Sequence, residues 1–164
     1  MGDEEIRYEG IIDVGPIVIS HTKNPAQEEA LLFLKNVLTG KILCLIPTSV
    51  FMGAYIVMTR YLRVRRDQAA KALKRTLSLN IPIFYEDIPK DVVLEALEDA
   101  SIYDVSSWDA YIAEIAKIRK ISTVYTLDID DFKKIPWLRP VLPISIKKFL
   151  EYQKWLKSIL KSVE

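Results

Sequence analysis

The chain has a single cysteine, Cys44, set in the apolar run Ile42-Leu43-Cys44-Leu45-Ile46. A lone thiol has nothing to pair with, which excludes a disulfide framework and fits a reducing compartment. There is also only one histidine, His21, so no Cys/His spacing for zinc exists; His21 reads as a loop residue. Long apolar runs are missing. Nothing approaches the ~20 residues of a membrane-spanning helix, and no basic segment followed by an apolar stretch opens the chain. The expectation is therefore a cytoplasmic protein without a membrane segment. Net charge is nearly absent as well, at +1 over 164 residues, so any case for a polyanionic partner must rest on local clusters. Asn and Gln are scarce beside Ile, Lys and Glu, a composition found in heat-adapted proteins. With 50% apolar and 27% charged residues, what is present is an ordinary globular balance. It predicts one domain over residues 1–164, with its core at about 10–142 and a terminal helix at about 145–162.

Residues 1–9 are polar and read as frayed. Gly10-Ile11-Ile12-Asp13-Val14 reads as a buried strand ending in an acid, broken by Gly15-Pro16. Asn24-Pro25 opens a helix bearing Ala30, Leu31, Leu34, Val37 and Leu38, closed by Gly40. Residues 41–46 form a second strand, stopped by Pro47. Thr48 or Ser49 caps the next helix, and Asp67 caps another containing Ala70, Leu73 and Leu77. Residues 81–84 suit an edge strand because Pro82 cannot donate to a ladder. Residues 89–100 form a helix with Val92, Val93, Ala96 and Leu97 inward. A helix from Ser106 to Lys120 precedes the strand Thr123-Val124-Tyr125, and at most a short strand follows at Val141-Leu142. The terminal helix is amphipathic, with Ile146, Phe149, Leu150, Tyr152, Trp155, Leu156, Ile159 and Leu160. Helices alternating with short apolar strands argue for an α/β protein: a three-layer α/β/α domain with a mostly parallel central sheet.

Three acids stand at the ends of these elements. Asp13 follows the first strand, Asp109 lies in the first turn of the central helix, and Asp128 follows the strand after it. Ligands of open α/β sheets bind outside the carboxyl ends of the strands, so all three can face one crevice. Hard cations such as Mg²⁺ take oxygen ligands, one or two carboxylates per ion. Each acid also has a plainer reading. Ser106-x-x-Asp109 fits a capping box, and Asp128 fits the cap of a short helix at 129–134. Asp13 resists dismissal, because a carboxylate closing an apolar strand needs a partner or a cation.

The segments Ile11-Ile12-Asp13, Pro47-Thr48-Ser49-Val50, Trp108-Asp109-Ala110 and Thr126-Leu127-Asp128, with Phe132 shortly after, resemble those of the PIN-domain nucleases, including the VapC-like toxins. The resemblance runs from about residue 10 to 142. It implies an RNA-cleaving enzyme dependent on Mg²⁺ or Mn²⁺, with Asp13, Asp109 and Asp128 as metal-binding and catalytic residues and water activated by the metal. It also implies a toxin restrained by a small antitoxin, and a homodimer. A second ion would need another acid, from Asp104, Asp130 or Asp131.

Gly53 stands where the family usually has a Glu, and Val14 and Gly15 where it favours a small hydroxyl or amide residue. The alternative function is therefore a catalytically weakened or inactive PIN module that binds RNA or a protein. Gly53 costs a helix about 1 kcal/mol relative to Ala; it serves either close helix packing or room for a ligand. A phosphohydrolase with Asp13 as nucleophile would want an acid two residues on, where Gly15 stands. The basic run Arg60, Arg63, Arg65 and Arg66 offers guanidinium forks that match phosphate, so Arg63, Arg65 and Arg66 are candidate RNA-binding residues, with a solvated helix end as the plainer reading.

Overall fold

Strands β1 (Gly10–Ile12) and β2 (Cys44–Pro47) contain only buried residues, as parallel strands covered on both faces require. The computed structural model describes residues 6–86 and 88–162. With β3 (Phe84–Tyr85), β4 (Thr123–Tyr125) and β5 (Arg139–Val141), they form a five-stranded sheet in the order β3-β2-β1-β4-β5, every pair parallel. Ile11 is the hub, in register with Leu45 on one side and Val124 on the other. Both short outer strands lie at the edges, where Pro140 of β5 is tolerated.

This strand order places the helices. The chain moves outward from β1 through β2 to β3, then returns across β1 to β4 and β5. Right-handed crossovers in opposite directions put their helices on opposite faces. One face receives α1 (Val14–His21), α2 (Gln27–Leu38), α3 (Ser49–Ile56) and α4 (Arg66–Leu77). The other receives α5 (Lys90–Tyr103), α6 (Ser107–Ile118) and the one-turn α7 (Ile129–Phe132). The result is the expected α/β/α sandwich. Helix α8 (Ile146–Lys161) returns to the first face, where Tyr152 joins Ile19, Ala26, Ala30 and Ile144 in a satellite cluster. There the Ser145 backbone N–H and hydroxyl both donate to Glu29. No helix among the described residues is long and apolar enough to cross a membrane.

Several local expectations are corrected. Gly15-Pro16 does not break the chain but lies in the first turn of α1, where Pro forfeits no intrahelical bond. Helix α1 is buried over Pro16–Ser20, so it lacks the apolar stripe by which a surface helix is recognised. His21 is accordingly no loop residue. Its Nδ1–H donates to the Ile17 carbonyl at 2.6 Å and its Nε2 meets Thr76 Oγ1 at 2.7 Å, tying α1 to α4. Burial lowers its pKa, which keeps the ring neutral. The frayed stretch shrinks: residues 1–5 lie outside those described, but Tyr8 is buried with its hydroxyl donating to the Pro82 carbonyl, and the Glu9 N–H donates to Leu43. Asp67 does not cap α4; Arg65 holds that position and grips the Asp67 carboxylate in the first turn. Leu97, expected inward, is exposed, as are Leu31, Leu77, Ile146, Leu150 and Leu160 of the apolar helical patterns. Helix α3 continues as a wider π-helical turn over Val57–Tyr61. Cys44 is buried and free, its pKa pushed up to about 12 by burial and the charge of Glu9.

Candidate metal centre

The sheet reverses its winding between β1 and β4, and an open α/β sheet forms its crevice at that point, beyond the strand ends. Asp13 leaves β1 in extended conformation (φ −83°, ψ 177°) as the N-cap of α1, and its N–H donates to the Tyr125 carbonyl of β4. It is 6% exposed. The fully buried Thr126, just past β4, donates its hydroxyl to Asp13 Oδ2 at 2.7 Å and accepts the N–H of Asp128 at 2.9 Å. One hydroxyl thus spaces two acids. Gly15 assists: a Cβ there would lie 2.9 Å from Leu127 Cγ, so a larger residue would push the Leu127 side chain off α1. Phe132, fully buried at the end of α7, anchors the same turn from the other side; such burial stabilises by about 1.5–3 kcal/mol.

The third acid arrives on α6. Ser106 Oγ caps that helix by accepting the Asp109 N–H at 3.0 Å, so the cap anticipated from sequence is real. It does not exhaust the residue. Carboxylate oxygens of Asp109, Asp128 and Asp131 all lie within 4.8 Å of one another. Asp128 likewise caps α7, accepting the Asp131 N–H at a long 3.4 Å, and still belongs to this set. Asp13 is outside the tightest trio, yet Asp109 feels its charge and it feels that of Asp128. Of the reserve acids, only Asp131 joins. Asp130 stays out of the set, and Asp104 ends α5 in the left-handed region with its carbonyl taking the Lys134 ammonium.

The electrostatics are those of like charges held together. Burial, then the charges of Asp13 and Asp128, push Asp109 up to about 7. Burial also raises Asp13, partly offset by the Thr126 hydrogen bond. Asp128 is raised by burial and by the charge of Asp131. Among the described residues, no Lys or Arg pairs with Asp13, Asp109 or Asp128; Lys134 pairs with Asp131 alone, at 3.1 Å. At the same rim, at the start of α3, the buried Ser49 hydroxyl has no hydrogen-bond partner among the described residues. Repelling carboxylates form an all-oxygen donor set of the kind that suits a hard divalent cation.

Thr126 and Ser49 stand in the sequence segments Thr126-Leu127-Asp128 and Thr48-Ser49, but nothing local assigns them roles. The Thr126 bond spans 113 positions of sequence. Replacing Thr126 with Val keeps the volume and removes the hydroxyl. We expect metal affinity to fall about 10–100-fold, as for other outer partners of metal ligands, with a loss of about 1–3 kcal/mol in stability from unsatisfied polar groups. Titration calorimetry and chemical denaturation check both.

Gly53 is a packing glycine. A Cβ there would sit 3.0 Å from Val14 Cγ2 and 3.2 Å from Trp108 Nε1, so the position is covered where a Glu would have to grow. The arginines are not at the acidic rim. Arg63 and Arg65 line a groove with His21, Thr22 and Lys23, at the far end of α1 from Asp13, a separation of about 12 Å along an eight-residue helix. Arg66 begins α4 beside them.

Two solved structures share this fold. One is Mycobacterium tuberculosis VapC20, a sarcin–ricin loop cleaving toxin, at TM-score 0.59 and 17% identity over 76% of this chain and 93% of that one. The other is a toxin–antitoxin complex from Klebsiella pneumoniae, at TM-score 0.54 and 19% identity over 84% and 99%. No curated protein matches the sequence. The family model of the PIN domain matches residues 17–138, which takes in Asp109, Asp128 and Asp131 and begins just after Asp13. That match covers about three quarters of the 164 residues, and the chain belongs to the PIN domain family.

Proposed function

We propose that this chain is a divalent-metal-dependent endoribonuclease, acting in the cytoplasm as the toxin of a toxin–antitoxin pair. The observation that carries the reading is the trio Asp109, Asp128 and Asp131, oxygens within 4.8 Å, backed by buried Asp13 and with no cation paired to Asp13, Asp109 or Asp128 among the described residues. Four acids held together at neutral pH call for a counter-charge. Asp109, Asp128 and Asp131, with Asp13 behind them, would hold Mg²⁺ or Mn²⁺. When bound, the metal supplies charge neutralisation at the phosphate and an activated water for hydrolysis. The protein's own part is positional. Thr126 fixes Asp13 against Asp128, the Ser106 cap fixes Asp109, and Phe132 holds the turn that bears Asp128. Exposure rises from Asp13 and Asp109 to the solvent-facing Asp128, so a phosphate backbone has an open approach. RNA as substrate rests on VapC20 being a sarcin–ricin loop cleaving toxin, and an antitoxin partner on the Klebsiella complex. A homodimer follows the same family reading.

A second reading is favoured by one observation, the tight packing of Val14 and Trp108 around the half-buried Gly53, which stands where the family usually has a Glu. Without the usual Glu, the chain would bind RNA or a protein and cleave nothing. Incubating the purified chain with a total RNA pool in Mg²⁺, Mn²⁺ or EDTA separates the two. Discrete metal-dependent fragments, absent in EDTA, are the expected result. Tight RNA binding with no fragments in either metal would overturn the nuclease in favour of the binding module.

A further inference from the structure

The charge of this nearly neutral chain is strongly segregated. Residues 60–75 hold seven Lys or Arg and one acid, and helix α8 holds five Lys and one Glu, so the remainder of the chain is net acidic. The fold sets the start of the first stretch against Trp155 of α8. A groove of about 470 Å³ is lined by Lys23, Arg63 and Arg65 together with Trp155 of α8. A second groove of about 490 Å³, carrying Lys35 and Arg75, shares His21 and Ala72 with the first, so the two meet along α4. Of the seven cations in 60–75, only Arg65 is in an ion pair among the described residues, with Asp67.

Arg63 adds a separate observation. It ends the π-helical turn in the left-handed region at φ 58°, while the Val64 N–H reaches back to the Met58 carbonyl. Glycine is the usual residue at such a helix stop, because an L side chain is strained there. An arginine kept at a glycine position gives up local stability and places a guanidinium at the groove edge.

We propose that this furrow is a second RNA-binding surface, a phosphate track separate from the acidic rim, which holds single-stranded RNA in place for cleavage. The proposal rests on the ribonuclease reading, and it answers a difficulty in it. A rim of acids repels a polyanion, so the affinity for RNA must come from cations elsewhere. Guanidinium forks match phosphate oxygens, and Trp155 offers a ring on which a base can stack.

The test is fluorescence anisotropy of a labelled 20-nucleotide single-stranded RNA. It is made in EDTA on the Asp109→Asn background, over a range of KCl. Replacing Lys23, Arg63 and Arg65 together with Ala is expected to weaken binding at least 10-fold. The slope of log K against log salt should become shallower by about 2, at about 0.7 per lost phosphate contact. Replacing Lys90 and Lys120, exposed cations outside the furrow, is expected to leave that slope alone. Arg63→Gly guards against misfolding: it should melt at an equal or higher temperature and still bind RNA more weakly. Unchanged binding in the triple variant, or an equal loss in the Lys90/Lys120 variant, would overturn the furrow. So would binding of poly-glutamate by the furrow with no affinity for RNA, which would assign it to an acidic protein segment. If the wild type cleaves no RNA but the triple variant loses binding as expected, the furrow stands and the nuclease falls. If cleavage occurs and RNA binding ignores the furrow, the reverse holds.

Discussion

Asp109→Asn is expected to lower metal-dependent RNA cleavage at least ~100-fold while leaving the metal-free protein as stable as wild type or more so. The first effect follows from removing a central carboxylate of the cluster, since even outer-shell losses at metal sites cost 10–100-fold. The second follows from the raised pKa. Burial and the neighbouring charges push Asp109 up to about 7 in the folded chain, against about 3.9 for a free aspartate. A carboxyl whose folded pKa exceeds its unfolded one binds more protons in the native state. It therefore destabilises the native state progressively as pH rises from about 4 to about 7, and by its full amount above that. Three units correspond to roughly 4 kcal/mol as an upper bound. Asn carries no charge and retains the N–H that Ser106 caps. In EDTA at pH 8 the variant should thus melt several degrees higher, at about 2–4 °C per kcal/mol for a chain of this size. At pH 4 the two proteins should converge. A variant clearly less stable at pH 8 would show that Asp109 is structural.

Divalent metal is expected to stabilise the wild type strongly, and more so at pH 8 than at pH 5.5. A ligand that binds only the native state adds about 2.7 kcal/mol at one hundred times its dissociation constant, a rise of about 5–10 °C. The pH dependence has a definite sign. Asp13, Asp109 and Asp128 are all raised above their ordinary values by burial and mutual charge. Protons therefore compete with the metal below neutrality, and metal entry releases them. Melting curves with Mg²⁺, Mn²⁺ and EDTA at the two pH values measure this. A shift equally large in Asp109→Asn, or independent of pH, would place the metal elsewhere.

How much of this was legible in the sequence depended on the range of the interaction. The strands were visible because runs such as Ile11-Ile12 and Leu45-Ile46 are apolar on both faces. Asp109 and Asp128 were visible because element ends mark themselves by caps and breaks. Helix α1 is not legible because burial of Pro16–Ser20 erases its stripe and Pro16 reads as a stop, although the first turn accepts proline. Thr126 reads from sequence only as a neighbour of Asp128, since its hydroxyl acts on Asp13 across the sheet. Asp131 is hard to assign from sequence because its place in the cluster depends on the one-turn helix that Asp128 caps. The choice at Gly53 between packing and ligand room needed the positions of Val14 and Trp108, which no local pattern supplies. The basic run was plain in the sequence. Its distance from the acids was not, because α1 was unseen.

The central claim is that Asp13, Asp109 and Asp128, with Asp131, hold one divalent cation at the reversal of the sheet. Anomalous diffraction from crystals grown with Mn²⁺ tests it most directly. A peak bounded by carboxylate oxygens of Asp109 and Asp128, absent in Asp109→Asn, is the predicted result. A Mn²⁺ peak away from these residues, or one that survives Asp109→Asn unchanged, would contradict it.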